Sequence, residues 1–374
     1  MKLQVPDGAN AAYTAGPGGR RGYLVYSQGD ALMARPFDAA KLEAEGEPFT
    51  AAQQPALFGV APGAAFSVSN NGVLAYRTSS GGQEGHLVWY DRGGKRLGNV
   101  GEPAIYSNPA LSPDGKRLAV GITDPQTRMR DIWIFDLVRG TRSRFTFDPA
   151  DDFNPVWSPD GTRIAFSSTR KGHRDVYVKS ANGTGQDELL FESELAKSVE
   201  DWSPDGRYIV FNTGMGHDLW SLPFSGENAS QKPTAFLQAQ FGQDQAHVSP
   251  DGRWIAYRSH ETGRVEIYVQ SVPLGKGKWQ ISTAGGSQPR WRGDGKEIFF
   301  STDTRIMAVE VNSAASAFEA GIPHPLFDVT LSSIAGRNGY VVTRDGQRFL
   351  VNAPTEEVGA APMNVVLNFT GTAK

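Results

Sequence analysis

A tight-turn sequence runs directly into a strand-like segment in Ser158-Pro159-Asp160-Gly161-Thr162-Arg163-Ile164-Ala165-Phe166-Ser167-Ser168. Proline presets the backbone of the first corner, and aspartate can accept bonds from the backbone that follows it. Glycine takes the positive φ that closes a hairpin, and β-branched and aromatic residues favour a strand after it. The segment therefore predicts a turn between two antiparallel strands.

This turn returns along the whole chain. Full copies are Ser112 to Gly115, Ser158 to Gly161, Ser203 to Gly206 and Ser249 to Gly252, and degenerate copies end at Gly19, Gly72, Gly295 and Gly346. Successive final glycines are 43 to 53 residues apart, and predicted strands follow the turns, for example at Arg163 to Ser168, Tyr208 to Thr213 and Trp254 to Ser259. Four short strands per ~40 to 50 residues is the period of a β-propeller blade. A β-sandwich has no reason to repeat its turn in this way.

The period predicts an all-β fold in which residues 1–374 form a single propeller of four-stranded antiparallel blades. The C-terminal copy supplies three runs, Tyr340 to Val342, Arg348 to Val351 and Val365 to Phe369. If Leu3 to Val5 is the fourth strand, the N-terminus closes the last blade and the ring has eight blades, which we prefer. If residues 1–19 instead form a lead segment, the ring has seven blades and an extra hairpin.

Composition excludes several classes of protein. The 37 basic and 40 acidic side chains leave a net charge of −3, which does not indicate nucleic-acid binding. The chain has no cysteine, so disulfides, thiol catalysis and cysteine-ligated metals are excluded. No apolar run is long enough to cross a bilayer, so we expect no membrane insertion. The N-terminus lacks the pattern of a signal peptide, so either the chain stays inside the cell or an export signal lies upstream.

With these residues in view, the chain resembles the TolB-type propeller repeat. Within that group it is most similar to the propeller that follows the transmembrane segment of bacterial, notably acidobacterial, receptor-type serine/threonine protein kinases. The stretches that carry the resemblance are Leu87 to Lys95, Arg130 to Asp136, Phe145 to Trp157, Gly285 to Trp291 and Asn364 to Phe369. The resemblance implies an extracytoplasmic sensor or interaction module.

Motifs for catalysis are missing from the sequence. It has no kinase Gly-rich loop, His-Arg-Asp or Asp-Phe-Gly, and no Gly-x-Ser-x-Gly elbow. Its six histidines form no local metal-binding pair, so we expect no metal and no cofactor. The acidic pairs Asp151-Asp152 and Glu200-Asp201 are interpreted as loop residues that cap backbone amides. The repeated turn residues are given a structural role: Asp114, Gly115, Asp160, Gly161, Asp205, Gly206, Asp251 and Gly252.

Aromatic residues occupy equivalent places in the repeats. Trp157, Trp202 and Trp291 each stand immediately before a turn, and a second set follows it at Phe166, Phe211, Tyr257 and Phe300. Large rings at equivalent positions are typical of the space between adjacent blades. We expect both sets to lie in the core.

Polar residues that differ between repeats form the candidate binding site. They lie about three residues before each turn, at the start of the innermost strand: Asn108, Asn154, Glu200, Asp201, Gln245, His247, Gln288 and Arg290. Innermost strands line the axial channel, so these side chains are expected to converge at its mouth and bind a small polar ligand, a cation or a peptide end. The alternative is a hydrated pore without a ligand.

The mixed-charge loops Arg128 to Asp131 and Thr169 to Asp175 are the other candidate surface, either as solvated turns or as a docking patch for a protein. Together these features predict a monomeric, non-enzymatic binding or sensing module for a protein, a peptide or a small polar ligand. A propeller enzyme, such as a lyase or lactone hydrolase with a metal in its pore, is the alternative. A third hypothesis is that the chain is an isolated propeller without independent activity.

Overall fold

The computed structural model describes residues 11–15, 21–28, 31–53, 66–77, 84–214, 218–224, 232–238, 241–273, 275, 277–312, 318–332, 338–355, 363–367 and 369. Two compact units divide the chain: unit 1 is residues 1–83 with 356–374, and unit 2 is residues 84–355. All regular elements in the described ranges are β-strands or single turns, which confirms the all-β prediction. No helix in these ranges is long and apolar enough to cross a membrane.

Unit 1 begins with seven strands. They are β1 (Ala11–Ala15), β2 (Arg21–Gln28), β3 (Ala31–Asp38), β4 (Glu43–Ala44), β5 (Phe49–Gln53), β6 (Phe66–Val68) and β7 (Leu74–Arg77). One sheet has the order β1-β2-β3-β4, with β5 also paired to β3. The degenerate turn that ends at Gly72 joins β6 to β7, and its Gly72 amide bonds to the Ser69 carbonyl.

Unit 2 holds six sheets, and it is built from twenty-five strands. They are β8 (Gly85–Asp91), β9 (Arg96–Ala104), β10 (Tyr106–Leu111), β11 (Arg117–Thr123), β12 (Arg130–Asp136), β13 (Thr141–Arg144), β14 (Asp152–Trp157), β15 (Arg163–Ser168), β16 (Asp175–Ser180), β17 (Glu188–Phe191), β18 (Lys197–Trp202), β19 (Tyr208–Thr213), β20 (Asp218–Pro223), β21 (Thr234–Gln238), β22 (Gln243–Val248), β23 (Trp254–Ser259), β24 (Glu266–Ser271), β25 (Lys278–Gln280), β26 (Ser287–Trp291), β27 (Glu297–Ser301), β28 (Arg305–Asn312), β29 (Glu319–Ala320), β30 (His324–Asp328), β31 (Tyr340–Val342) and β32 (Arg348–Pro354).

In five of these sheets the strands are ordered as they occur in the chain, and the first strand is the one that precedes the turn. These sheets are β10 to β13, β14 to β17, β18 to β21, β22 to β25, and β26 to β29 with β30 paired to β28. All neighbouring strands are antiparallel, as expected for a blade. The predicted runs Arg163 to Ser168, Tyr208 to Thr213 and Trp254 to Ser259 coincide with β15, β19 and β23. The four-stranded antiparallel repeat is thus confirmed.

The sixth sheet joins the two ends of unit 2. Its order is β31-β32-β8-β9, so strands near residue 350 pair with strands near residue 90. The C-terminal repeat therefore completes its sheet with Gly85–Asp91 and Arg96–Ala104. The third C-terminal run instead contributes the last strand, β33 (Met363–Val366), which pairs with β7 in unit 1. Leu3 to Val5 and the turn at Gly19 lie outside the described residues, and eight blades in one domain stay a prediction.

The core of unit 2 consists of six apolar clusters, each shared by two sheets. One joins the sheets of β10 and β14 through Ile132, Trp157 and Phe166, and equivalent clusters join each following pair. A further cluster joins β27 to β32 through Phe299 and Phe349, and the sixth joins β32 back to β11 through Leu350 and Leu118. Each sheet therefore packs against two others. Both predicted aromatic sets are buried in these clusters.

The Ser-Pro-Asp-Gly turns are held by their own side chains. In the second copy, the Asp160 carboxylate accepts bonds from the Ser158 hydroxyl at 2.6 Å and from the Thr162 amide at 2.9 Å. Gly161 has φ +69° and donates its amide to the Ser158 carbonyl. Hydrogen bonds to the charged form lower the pKa of Asp160 below its usual value. The same arrangement recurs at Asp114, Asp205 and Asp251.

Candidate binding site on the first strands of unit 2

The candidate residues lie at a β-bulge that recurs in the first strand of five sheets. The ladder shifts between Ser107 and Ala110, and equivalent shifts occur in β14, β18, β22 and β26. Four bulge residues have positive φ: Asn108 (49°), Asn154 (55°), Gln245 (53°) and Gln288 (58°). Left-handed backbone is uncommon outside glycine, so such residues mark a place where the surroundings impose the conformation.

Two bulge asparagines from adjacent sheets contact each other. The Asn108 amide nitrogen donates to the Asn154 amide oxygen at 2.5 Å, and both side chains are buried. The Asn108 oxygen accepts a bond from the Asn338 backbone amide at 2.9 Å, just before β31. Asn108 thus connects three sheets at one level.

Two bulge glutamines, Gln245 of β22 and Gln288 of β26, also connect adjacent sheets. The Gln245 side-chain oxygen accepts a bond from the Gln288 backbone amide at 2.7 Å. The Gln288 side-chain oxygen accepts from the Gly339 amide at 2.5 Å, and the Gln288 carbonyl accepts from the Tyr340 hydroxyl at 2.9 Å. These bonds bring the candidate residues of β10, β14, β22 and β26 together with the segment that enters β31.

The acidic pair in β18 is also committed to bonds. Glu200 is buried, and its carboxylate accepts a bond from the Asn212 side chain in the next strand. Asp201 accepts bonds from the Trp202 amide at 2.9 Å and from the Val248 amide of the next sheet at 2.7 Å. Asp201 caps backbone amides as expected, but the pair lies within β18 rather than in a solvated loop, and Glu200 is buried against a side-chain donor because the first strand runs through the bulge.

His247 lies on β22 beside these acids. Its Nδ1 atom is buried and has no hydrogen-bond partner among the described residues, whereas its backbone carbonyl accepts from Trp291 Nε1 at 3.0 Å. Burial lowers the pKa of the imidazole, the nearby Asp201 opposes that shift, and Arg290 adds to it. His247 is therefore held in its neutral form at neutral pH.

Arg290 is a buried cation in β26. Its side chain is 7% exposed, one terminal nitrogen donates to the Pro289 carbonyl at 2.7 Å, and the guanidinium lies 6.0 Å from the Tyr340 ring centroid. Burial lowers the pKa of Arg290, while Tyr340, Asp201 and Glu200 act in the opposite direction. Burial beside this cation raises the pKa of the Tyr340 hydroxyl well above its usual value, because desolvation outweighs the cation. Arginine stays protonated in proteins, so the group carries a full charge.

Sequence reasoning missed Asn338 and Tyr340, which complete this arrangement. The degenerate turn Thr343 to Gly346 marks the repeat, and counting back from Thr343 would have placed Asn338 close to the position of Asn108. This degenerate turn, Thr343 to Gly346, lacks the Ser-Pro pair that marks the full copies. In the part of the chain that the structure describes, no group of three or more histidines and acids is placed to hold a metal.

Charges of the two mixed-charge loops are largely paired within the molecule. Arg130 binds Asp151 through two nitrogens, with Nε at 2.8 Å from Oδ1. Arg170 binds Asp152 at 3.1 Å and Asp187 at 2.7 Å. Fixed ion pairs leave fewer charges for a partner, so these loops are a weaker docking candidate than the bulge residues.

Comparison with known proteins agrees with this architecture. Residues 68–219 match the family model described as the TolB beta propeller domain, PD40. The Tol-Pal system protein TolB of Francisella tularensis subsp. tularensis is 32% identical over 198 residues, which cover 52% of this chain and 45% of that protein. The chain thus spans less than half the length of the curated relatives it matches first.

Solved structures show the same fold. A protein assigned as TolB from Agrobacterium tumefaciens superposes with a TM-score of 0.58 at 20% identity, covering 74% of this chain and 99% of that one. TolB from Acinetobacter baumannii gives a TM-score of 0.50 at 15% identity, covering 89% and 79%. At these identities the likeness concerns the fold alone.

Proposed function

We propose that this chain, which carries TolB-type β-propeller repeats, is a non-catalytic module that binds a protein or peptide at the bulge residues of unit 2. The observation that carries the proposal is the recurrence of left-handed polar residues in the first strands, which gathers side chains of several sheets at one level. A rigid scaffold that presents different polar groups at equivalent positions is suited to recognition. We expect the chain to act as a monomer.

Six sheets around one axis form the body of this proposed module. The support is that six apolar clusters link the six sheets of unit 2 in succession, and that β31 and β32 return to β8 and β10. A closed ring would leave only short sheet edges exposed, which stabilises a propeller. Six blades in unit 2 would replace the single ring of eight that the sequence favours.

The names of the curated relatives bear on partner and compartment. They are called Tol-Pal system proteins, which suggests for this chain a role in protein assembly outside the cytoplasm. The further idea that it is the sensor of a receptor kinase stays a prediction from resemblance. A longer reading frame that encodes a transmembrane helix and a kinase would support that idea.

Partner capture with variants of the bulge residues tests the binding proposal. The purified chain, its Glu200→Ala and His247→Ala variants and an Arg139→Ala control are immobilised and exposed to envelope extract from the source organism. Arg139 is exposed and lies on a turn after β12, so its loss should not affect capture. We expect a specific protein to be retained by wild type and control and lost with the bulge variants. Equal retention by all four would contradict a partner site at these residues.

His247 gives the alternative function a specific basis. A neutral imidazole whose buried Nδ1 has no partner among the described residues, with Asp201 nearby, has the properties of a general base, as a propeller lyase or lactone hydrolase would need. A panel of lactones and uronate-type substrates, incubated with wild type and His247→Ala, tests this reading. Turnover that disappears in the variant would favour the enzyme over the binding module.

A further inference from the structure

Unit 2 holds three Lys or Arg side chains that are more than nine-tenths buried within the described ranges: Lys179, Lys197 and Arg290. A buried charge is costly unless a counter-charge and hydrogen bonds compensate for lost hydration. The fold must therefore supply a partner for each one, or leave its charge available to a ligand.

Both lysines have a carboxylate partner. Lys197 Nζ lies 2.6 Å from Asp175 and also bonds to the Ser193 carbonyl at 2.8 Å. Lys179 Nζ lies 3.0 Å from Asp187 and 2.9 Å from the Phe145 carbonyl. Each buried ammonium is thus neutralised inside the protein.

Arg290 differs from both lysines. No carboxylate of the described residues lies within 4.0 Å of it, and its one hydrogen bond goes to the neutral Pro289 carbonyl. Asp201 and Glu200 act on it only at longer range, and both accept bonds from other donors. Its other guanidinium donors make no hydrogen bond within the described residues. The guanidinium is thus a buried cation that has neither a paired carboxylate nor partners for its other donors among the described residues.

The shape of a guanidinium selects its ligand. Its parallel N–H groups match the two oxygens of a carboxylate, and a charge-assisted pair of bonds forms best where water is partly excluded. Glu200 and Asp201 keep the local field from becoming strongly positive, so a dianion such as phosphate would meet two like charges beside one cation. A single negative charge fits the site better.

We propose that Arg290 is the anchor for one carboxylate group of the bound partner, carried by an acidic side chain or a chain terminus. The proposal deepens the proposed function, since it names the chemistry recognised at the same bulge residues. It makes Arg290 the group that determines specificity, whereas the asparagines and glutamines hold the surrounding backbone.

Three model peptides test the proposal by titration calorimetry. Acetyl-Ala-Ala-Glu-Ala-Ala-amide carries a side-chain carboxylate, acetyl-pentaalanine with a free C-terminus carries a terminal one, and acetyl-pentaalanine-amide carries none. We expect at least one carboxylate peptide to bind at least tenfold more tightly than the neutral peptide. The tighter of the two identifies the source of the carboxylate. Equal affinity for all three peptides, or no binding, would overturn the proposal.

Variants connect the preference to Arg290. Arg290→Gln should reduce the preference for carboxylate peptides over the neutral peptide at least tenfold. Arg290→Lys should retain part of this preference because the charge remains. Arg139→Gln removes the same charge from an exposed turn and should bind like wild type. Circular dichroism and a thermal midpoint for each variant confirm folding, and if Arg290→Gln does not fold, Arg290→Lys and Tyr340→Phe carry the comparison. Undiminished selectivity in the folded Arg290 variants would contradict the assignment.

The experiments distinguish failure of the Arg290 anchor from failure of the proposed partner binding. If carboxylate peptides bind at Arg290 but no protein partner is lost with the bulge variants, the anchor stands and the partner-binding proposal fails. If a partner binds wild type and Arg290→Gln equally, the partner-binding proposal stands and the anchor fails.

Discussion

Left-handed bulge residues link backbone strain to the candidate site. A non-glycine residue at positive φ costs about 1–2 kcal/mol, so the bonds made by its side chain must offset that cost. Gln245 illustrates the balance, because its side chain accepts the Gln288 amide of the next sheet at 2.7 Å while its own φ is 53°. One residue thus connects two sheets and fixes the level of the site.

Gln245 allows strain and bonding to be separated. Gln245→Ala keeps the strained backbone and leaves the Gln288 amide without its acceptor, so we expect a loss of about 1–3 kcal/mol in the free energy of unfolding. Gln245→Gly loses the same bond but relieves the strain, and it should be about 1 kcal/mol more stable than the alanine variant. Urea unfolding measures both values. Identical stabilities for the two variants would show that the left-handed conformation carries no cost here.

His247 should give stability an acid dependence near neutrality. Its pKa in the folded protein lies below the ordinary value of about 6.5, so the unfolded chain binds the proton first as the pH falls. The free energy of unfolding should therefore decrease as the pH falls from about 7 towards 5. His247→Gln should show a shallower decrease over that range, measured by urea unfolding at each pH. Parallel curves for the two proteins would mean that His247 ionises as freely in the folded state as in the unfolded chain.

Adjacent sheets pack through the tryptophans that precede three of the turns, Trp157, Trp202 and Trp291. Trp157 Nε1 donates to the Ala110 carbonyl of the preceding sheet at 2.9 Å, and Trp291 makes the same bond to His247 at 3.0 Å. Arg117 of the preceding sheet lies 4.5 Å from the Trp157 ring centroid and donates to the Gly161 carbonyl. Trp157 thus joins two sheets by packing, a hydrogen bond and a cation–π contact, whereas Trp202 donates its Nε1 to the Gly206 carbonyl of its own turn at 3.2 Å.

Two substitutions of Trp157 should resolve these contributions. Trp157→Phe loses the bond to Ala110 but keeps most of the ring, so it should cost about 1 kcal/mol plus a small packing loss. Trp157→Ala leaves a large cavity and should cost about 3–5 kcal/mol. Chemical denaturation gives both numbers. A phenylalanine variant as unstable as the alanine variant would place the stabilisation in the indole nitrogen rather than in the ring.

Strands were predictable from the sequence where a local signal exists. The turn motif and the β-rich run after it located β15, β19 and β23 to the residue, because both signals are contiguous in the chain. The partner of β32 was not predictable in this way, since Val351 pairs with Val88 across more than 250 residues and no local pattern specifies that pairing. The polar bulge residues were found by their position in the repeat, whereas Asn338 and Tyr340 belong to a degenerate repeat and were missed.

At the scale of the whole molecule, the two ends of unit 2 meet. Thr355 donates its amide to the Glu84 carbonyl at 3.2 Å and its hydroxyl to the same oxygen at 2.8 Å. The sheet of β31, β32, β8 and β9 joins the same two ends through a full antiparallel ladder. Among the residues that the structure describes, the apolar clusters of unit 2 are built from unit 2 residues. Unit 2 therefore contains its own core, and its first and last strands pair with each other.

A fragment of residues 84–355 tests whether unit 2 folds independently. Because every sheet of unit 2 keeps both of its apolar neighbours in the fragment, we expect it to fold alone and to unfold in one cooperative urea transition. A fragment of residues 105–355, which differs from the first only by the loss of β8 and β9, should lose cooperativity because β32 then has an unpaired edge and two clusters lose their Leu87 and Tyr90 contacts. Far-UV circular dichroism and tryptophan fluorescence should give coincident transitions for the first fragment only. If residues 84–355 instead aggregate while the full chain folds cooperatively, unit 2 depends on unit 1, and the single ring of eight blades becomes the better description.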